Sequence, residues 1–184
     1  MDRASYAAST RVSAAPLLRG TGRTFGTDAL HNHAPKNYEC PFCGIVRGVA
    51  GLTTSDHIVL ADGGITAFVA ANWWPNNPGH VLVVPNDHYE NIYDLPDELG
   101  TPIHAAARRV AIAMKSAFEC EGVSTRQHNE PSGNQDVWHY HLHVIPRHPG
   151  DRLYGLTESS RAPLISEELR SKYAKTLRRA IEVF

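Results

Sequence analysis

The stretch "WHYHLHVIPRH", residues 138–148, decides how this chain is read. His139, His141 and His143 alternate with Tyr140, Leu142 and Val144. A period of two predicts a β-strand whose successive side chains point to opposite faces, one carrying imidazoles and the other an apolar row suited to a core. At a rise of ~3.3 Å per residue, neighbouring histidines stand ~6.6 Å apart and the outer pair ~13 Å apart. Zinc holds histidine nitrogen at about 2.0–2.1 Å, so a straight strand cannot bring all three onto one ion. Two adjacent members could clamp an ion. Alternatively the row serves chemistry on phosphate, because imidazole near neutral pH is both a nucleophile and a proton donor.

Working outward, "HIVLADGGITAFVA" predicts strands at His57–Ala61 and Ile65–Ala70, joined at Asp62-Gly63-Gly64, a strong hairpin signal. "NWWPNNPG" is a loop by its prolines and asparagines, and "HVLVVP" is a buried strand ended by Pro85. From Pro96 onward Leu99, Ile103, Ala106, Val110, Ala113, Met114, Ala117 and Phe118 keep helical spacing, with Asp94 as expected N-cap and Gly122 as expected stop. "GVSTRQHN" predicts a strand, "EPSGNQD" a loop and "VWHYHLHVIP" the histidine strand. A last helix follows Ser166, with Leu169, Tyr173, Leu177 and Ile181 on one face. The expectation is an α+β fold: an antiparallel β-sheet of about five strands, one long central helix and a C-terminal helix. The predicted organisation is an N-terminal extension at 1–36, a catalytic domain at 37–150, and a helical segment at 151–184 belonging to the same domain.

Composition removes several classes. A net charge of −1 supplies no global positive field for nucleic acid, although a mononucleotide needs only a local site. No apolar run approaches the ~20 residues that span a bilayer. The three cysteines, Cys40, Cys43 and Cys120, do not form a secreted disulfide framework, so a reducing, cytoplasmic setting is expected. Residues 3–27 hold Arg3, Arg11, Arg19 and Arg23 with no acid, a composition shared by transit peptides and by simple appended arms.

"HYHLHVI" resembles the His-x-His-x-His-x-x signature of the histidine triad (HIT) superfamily of nucleotide hydrolases and transferases, and "PGHVLVVPNDH" resembles that family's upstream strand and loop. The resemblance covers residues 38–148 and implies a HIT-like fold. It also implies that His141 is the nucleophile, forming a nucleotidyl-histidine intermediate. A hydrogen bond from its Nδ1–H to a main-chain carbonyl would leave Nε2 to attack. His143 falls beside the scissile phosphate or leaving group, and His80 matches an additional histidine near the phosphate. Asn72 matches the ribose contact, while Asn129 and Gln135 match positions around the phosphate-binding loop. The implied substrate is a nucleotidyl compound, with a dinucleoside polyphosphate such as diadenosine tetraphosphate favoured over a nucleoside phosphoramidate. A nucleotide-binding or sensing protein is the alternative. A homodimer whose sheets join across the two-fold axis is also implied. Two positions depart from the family: Asn134 replaces a glycine, and Asp136 replaces a hydroxyl residue, where an acid would repel phosphate.

"CPFC" reads as a redox dithiol, as unmetallated thiols, or as half of a metal site. The redox reading needs a helix start, and "GIVRGVAGLTT" is Gly-rich and short for one. The resemblance to zinc-containing histidine triad proteins implies a structural zinc held by Cys40, Cys43, His88 and His139. Trp73 and Trp74 suit either a base pocket or packing, and Cys120 reads as a buried thiol.

Overall fold

Gly63 and Gly64 both adopt positive φ (58° and 78°), closing the Asp62–Ile65 pair into the hairpin that starts the sheet. The computed structural model describes residues 31–49, 51, 53–155 and 164–183, all within one unit, His31–Phe184. The arginine-bearing arm and most of the expected 1–36 extension lie outside the described residues. From His31 the chain is stitched to the domain: Asn91 donates to the His31 carbonyl (3.0 Å), and the Glu90 carboxylate accepts from the His33 and Ala34 amides.

The elements are α1 (Pro41–Val46), β1 (Ile58–Asp62), β2 (Ile65–Val69), β3 (Val81–Pro85), α2 (Asp97–Ala117), β4 (Gly122–Gln127), β5 (Leu142–Arg147) and α3 (Glu167–Ile181). The five strands form one antiparallel sheet in the order β1-β2-β3-β5-β4. This is the expected α+β fold, with the long helix and the C-terminal helix in place.

Register explains how the sheet presents a site. Phe68 pairs with Leu82, Leu82 with His143, and His143 with Arg126, so one row of side chains crosses four strands on one face. His80, two residues before Leu82, extends that face. Val69, Val81, Val83 and Val144 are fully buried at alternate positions and point the other way. That second face packs on α2, whose Ile103, Ala106, Ala107, Val110, Ala113 and Met114 make the expected apolar stripe.

Several boundaries differ from the sequence expectation. His57 lies in a 3-10 turn (Ser55–His57), not in β1, because its ring is used locally: Nδ1 accepts from the Thr54 amide and Nε2 lies 3.1 Å from the Glu167 carbonyl. Pro96, not Asp94, is the N-cap of α2. Helix α2 is left through Glu119 at φ 52°, and Gly122 opens β4 instead of stopping the helix. "CPFC" does begin a helix, the six-residue α1. Cys40 is its N-cap, with Sγ accepting from the Cys43 amide, and Pro41 fits the first turn, where no N–H is needed. The histidine strand starts only at Leu142, so His139 and His141 precede it and His143 alone lies within it. The β3–β5 ladder ends at the Val83–Leu142 pair and the β4–β5 ladder at Gln127–Leu142, so both neighbours release the chain at the same residue. Tyr140 turns its amide to the Tyr89 carbonyl instead (2.6 Å).

Trp73 and Trp74 take the packing role. Both are buried; Trp73 donates to the Ala70 carbonyl and meets the Tyr173 ring edge-on at 4.8 Å. Trp74 packs with Ile145 and Leu153. Among the described residues no helix is long and apolar enough to cross a membrane.

Gly79 sets the turn into His80. It has φ 88°, and a Cβ there would stand 2.6 Å from a Phe118 ring carbon and 2.8 Å from one of Tyr173. Gly79→Ala therefore meets both backbone strain and overpacking, and should lower stability by about 2–4 kcal/mol. A fall in the urea unfolding midpoint checks this; an unchanged midpoint would mean the turn relaxes at no cost.

Candidate active site and metal cluster

Two groups of side chains assemble at the ends of β3 and β5. The first is the cluster of Cys40, Cys43, His88 and His139, whose ligand atoms all lie within 4.8 Å of one another. Cys40 Sγ is 3.3 Å from His139 Nδ1, Cys43 Sγ is 3.6 Å from the same nitrogen, and Cys43 Sγ is 3.4 Å from His88 Nδ1. Tetrahedral coordination with metal–sulfur near 2.3 Å and metal–nitrogen near 2.0–2.1 Å sets sulfur–nitrogen edges of about 3.5 Å. The four residues thus fit one metal ion. The proton positions agree: His139 Nε2–H donates to the Pro85 carbonyl at 3.0 Å, which leaves the lone pair on Nδ1, toward the cysteines. Burial holds the His139 imidazole down to about 4, keeping it in the neutral, ligating form. Burial also pushes the Cys43 thiol up to about 11, a penalty that a bound cation reverses by stabilising thiolate.

The second group is the imidazole row. His141 is almost wholly buried (2% exposed), and its Nδ1–H donates to the His139 carbonyl at 2.7 Å. That bond fixes the tautomer and puts the lone pair on Nε2. Phe42, from α1, lies edge-on against both His139 (5.8 Å) and His141 (5.3 Å), holding the two rings. His80 Nδ1–H donates to the Asn72 carbonyl (3.4 Å), so its Nε2 accepts, and the donor is His143 Nδ1–H at 2.9 Å. The His80 and His143 rings stack at 5.0 Å, and His143 meets His141 at 4.9 Å. In these tautomers His141 and His143 both carry their lone pair on Nε2.

A cavity of about 880 Å³ opens beside the row, lined among others by Asn72, Leu82, His80, His141, His143 and Asp136. Asn72, His80, His141 and His143 are thus brought together on one cavity. Asn129 and Gln135 do not line it. Asn129 Oδ1 accepts from the Ile92 amide, and its side-chain amide is paired with that of Gln127. Gln135 is buried and donates to the Glu90 and Val137 carbonyls while accepting from the Glu130 amide. Both amides stitch loop backbone that would otherwise be left unsatisfied. Asn134 adopts φ 67°, a left-handed conformation that asparagine tolerates better than most side chains, which accounts for its standing where a glycine is usual.

Two neighbours of the row were not anticipated as site residues. His128 lies edge-on to His143 at 5.3 Å, its Nδ1–H bonded to the Gly133 carbonyl. Asp136 Oδ1 is 3.8 Å from His141 Nε2. The substitution at 136 was visible in the sequence; its distance from His141 Nε2 was not.

Fold, imidazole row and cysteine pair together define a histidine triad protein. The HIT domain family matches residues 53–150, and the chain belongs to that family. An uncharacterized HIT-like protein of Saccharolobus solfataricus is 35% identical over 109 residues, 58% of this chain and 73% of the relative. A bis(5'-adenosyl)-triphosphatase of Dictyostelium discoideum is 31% identical over 108 residues, covering 56% and 72%. Among solved structures, a Zn-bound histidine triad family protein from Mycobacterium smegmatis superposes with a TM-score of 0.64 at 27% identity, covering 79% and 94%.

Cys43 touches both histidine ligands, so Cys43→Ser should lose bound metal and lower the thermal midpoint by roughly 5 °C or more. Metal analysis alongside a thermal scan checks this. Full retention of metal by the variant would remove Cys43 from the ligand set.

Proposed function

We propose that the protein transfers or hydrolyses a nucleotidyl group through a covalent nucleotidyl-His141 intermediate. The observation that carries this is the His141 Nδ1–H bond to the His139 carbonyl, which directs reactivity to Nε2 at the wall of a nucleotide-sized cavity. His143, hydrogen bonded to His80, is the proton-handling partner beside the scissile bond, and the His80–Asn72 bond fixes the far end of that chain. Asn72, exposed on the cavity, takes the ribose. Asn129 and Gln135 shape the loop that approaches the phosphate. The activity of the Dictyostelium relative, a bis(5'-adenosyl)-triphosphatase, supports a nucleotidyl substrate with an adenine base.

Zinc is the metal proposed for the cluster, on its two-sulfur, two-nitrogen donor set and on the Zn-bound relative from M. smegmatis. With Cys40, Cys43, His88 and His139 filling all four positions, a bound ion would be structural and would tie α1 to the residues preceding β5.

Incubation with a labelled adenylyl substrate, followed by rapid quench and peptide mass analysis, should place the nucleotidyl group on His141. His141→Ala should lose turnover by about 10³-fold or more. Absence of the adduct, with turnover kept in His141→Ala, would remove His141 as the nucleophile; absence of both adduct and turnover in the wild type would leave nucleotide binding as the function.

The reading includes a homodimer joined along an outer strand. Strand β4 supplies such an edge, since β5 occupies only one of its sides. Sedimentation should give about twice the chain mass. A monomer at micromolar concentration would remove the dimer from the reading.

A further inference from the structure

Asp136 is a carboxylate standing 3.8 Å from His141 Nε2, about half exposed (49%) on the wall of the cavity while the imidazole itself is buried. A phosphorus attacked by Nε2 approaches to about 3–3.5 Å, so the carboxylate lies within about 7 Å of the reacting group whatever its orientation. At that range, in a partly solvated site, one like charge costs roughly a factor of ten in rate or affinity. The nucleotidyl phosphate bears this repulsion with any substrate. What differs between substrates is the leaving group: a polyphosphate adds several negative charges, whereas an amine adds none and arrives with N–H donors for the carboxylate.

We propose that Asp136 is the specificity-determining residue for the leaving group, selecting nucleoside phosphoramidates over dinucleoside polyphosphates. This rests on the nucleotidyl-His141 reading, and it reverses the substrate order implied by family resemblance. The substrate binds with its bridging nitrogen protonated and donating to the Asp136 carboxylate. The Nε2 lone pair forms the new N–P bond, the old P–N bond breaks, and its electron pair leaves with the nitrogen as a neutral amine. Water then attacks the phosphorus and the His141–P bond breaks, returning neutral imidazole and releasing nucleoside monophosphate and one proton. Asp136 serves as acceptor in the first step only. Its removal therefore changes the ratio between substrate classes more than the rate of hydrolysing the shared intermediate.

The test compares kcat/KM for an adenosine 5'-phosphoramidate and for diadenosine tetraphosphate, with the full chain as wild type, Asp136→Asn and Asp136→Ser. Wild type should prefer the phosphoramidate. Both variants should shift the ratio toward the polyphosphate by about tenfold or more. A ratio unchanged in both variants overturns the proposal. So does a wild-type preference for the polyphosphate that requires Mg²⁺ and loses that requirement in Asp136→Asn, since the carboxylate would then be holding a cation. Failure of the underlying reading looks different: no adduct on His141 from either substrate. If Asp136→Asn does not fold, the wild-type preference and Asp136→Ser still decide.

Discussion

His139 is the residue on which the rest of the site depends, because three of its polar groups are committed to three different parts of the chain. Its Nε2–H is bonded to the end of β3 at Pro85, its Nδ1 faces the cysteines of α1, and its carbonyl accepts the Nδ1–H of His141. A ring held at both nitrogens cannot rotate, and a carbonyl beside it is fixed in turn. The tautomer of His141 is thus set by the same residue that closes the metal cluster. Assembly of the cysteine–histidine cluster and orientation of the His141 ring are two consequences of one constraint. Phe42 reinforces it, wedged from α1 against both rings.

The imidazole row gains from burial as well as from position. His80, His141 and His143 are all buried, yet each Nδ1–H has an acceptor, so desolvation is met by hydrogen bonds. Main-chain carbonyls terminate both ends of the arrangement, at Asn72 and at His139. Rotating any ring would leave a buried donor unsatisfied, at a cost of about 1–3 kcal/mol. The site is therefore preorganised by its backbone.

Much of this was legible in the sequence. The hairpin glycines, the valine-rich β3 and the helical stripe of α2 each declared its element, because local propensity and burial point the same way. The cysteine pair and two distant histidines met at metal-ligand distances, as the family resemblance implied. The start of β5 was not legible, since the period-two pattern at His139 and His141 survives where the ladder does not; the Tyr140 amide is taken by the Tyr89 carbonyl, a loop contact that the pattern does not show. Nor were the loop hydrogen bonds of Asn129 and Gln135. A side-chain amide satisfies loop backbone as readily as it binds phosphate, and composition cannot tell the two apart. His128 escaped notice because its approach to His143 depends on a loop with positive φ at Glu130 and Asn134.

The cysteine–histidine cluster also orders events in time. Its partners are separated by 99 residues for Cys40 and His139, 96 for Cys43 and His139, and 45 for Cys43 and His88. Contacts this distant in sequence carry the greatest loop-closure entropy and are slow to form. On the ribosome, Cys40 and Cys43 emerge long before His139 does. Through most of synthesis the thiols have no complete partner set. His141 follows His139 by two residues, so the last side chain of the cluster and the imidazole that leans on its carbonyl enter the chain almost together. A chain stopped short of that point carries Cys40, Cys43 and His88 without the residue that joins them to the imidazole row.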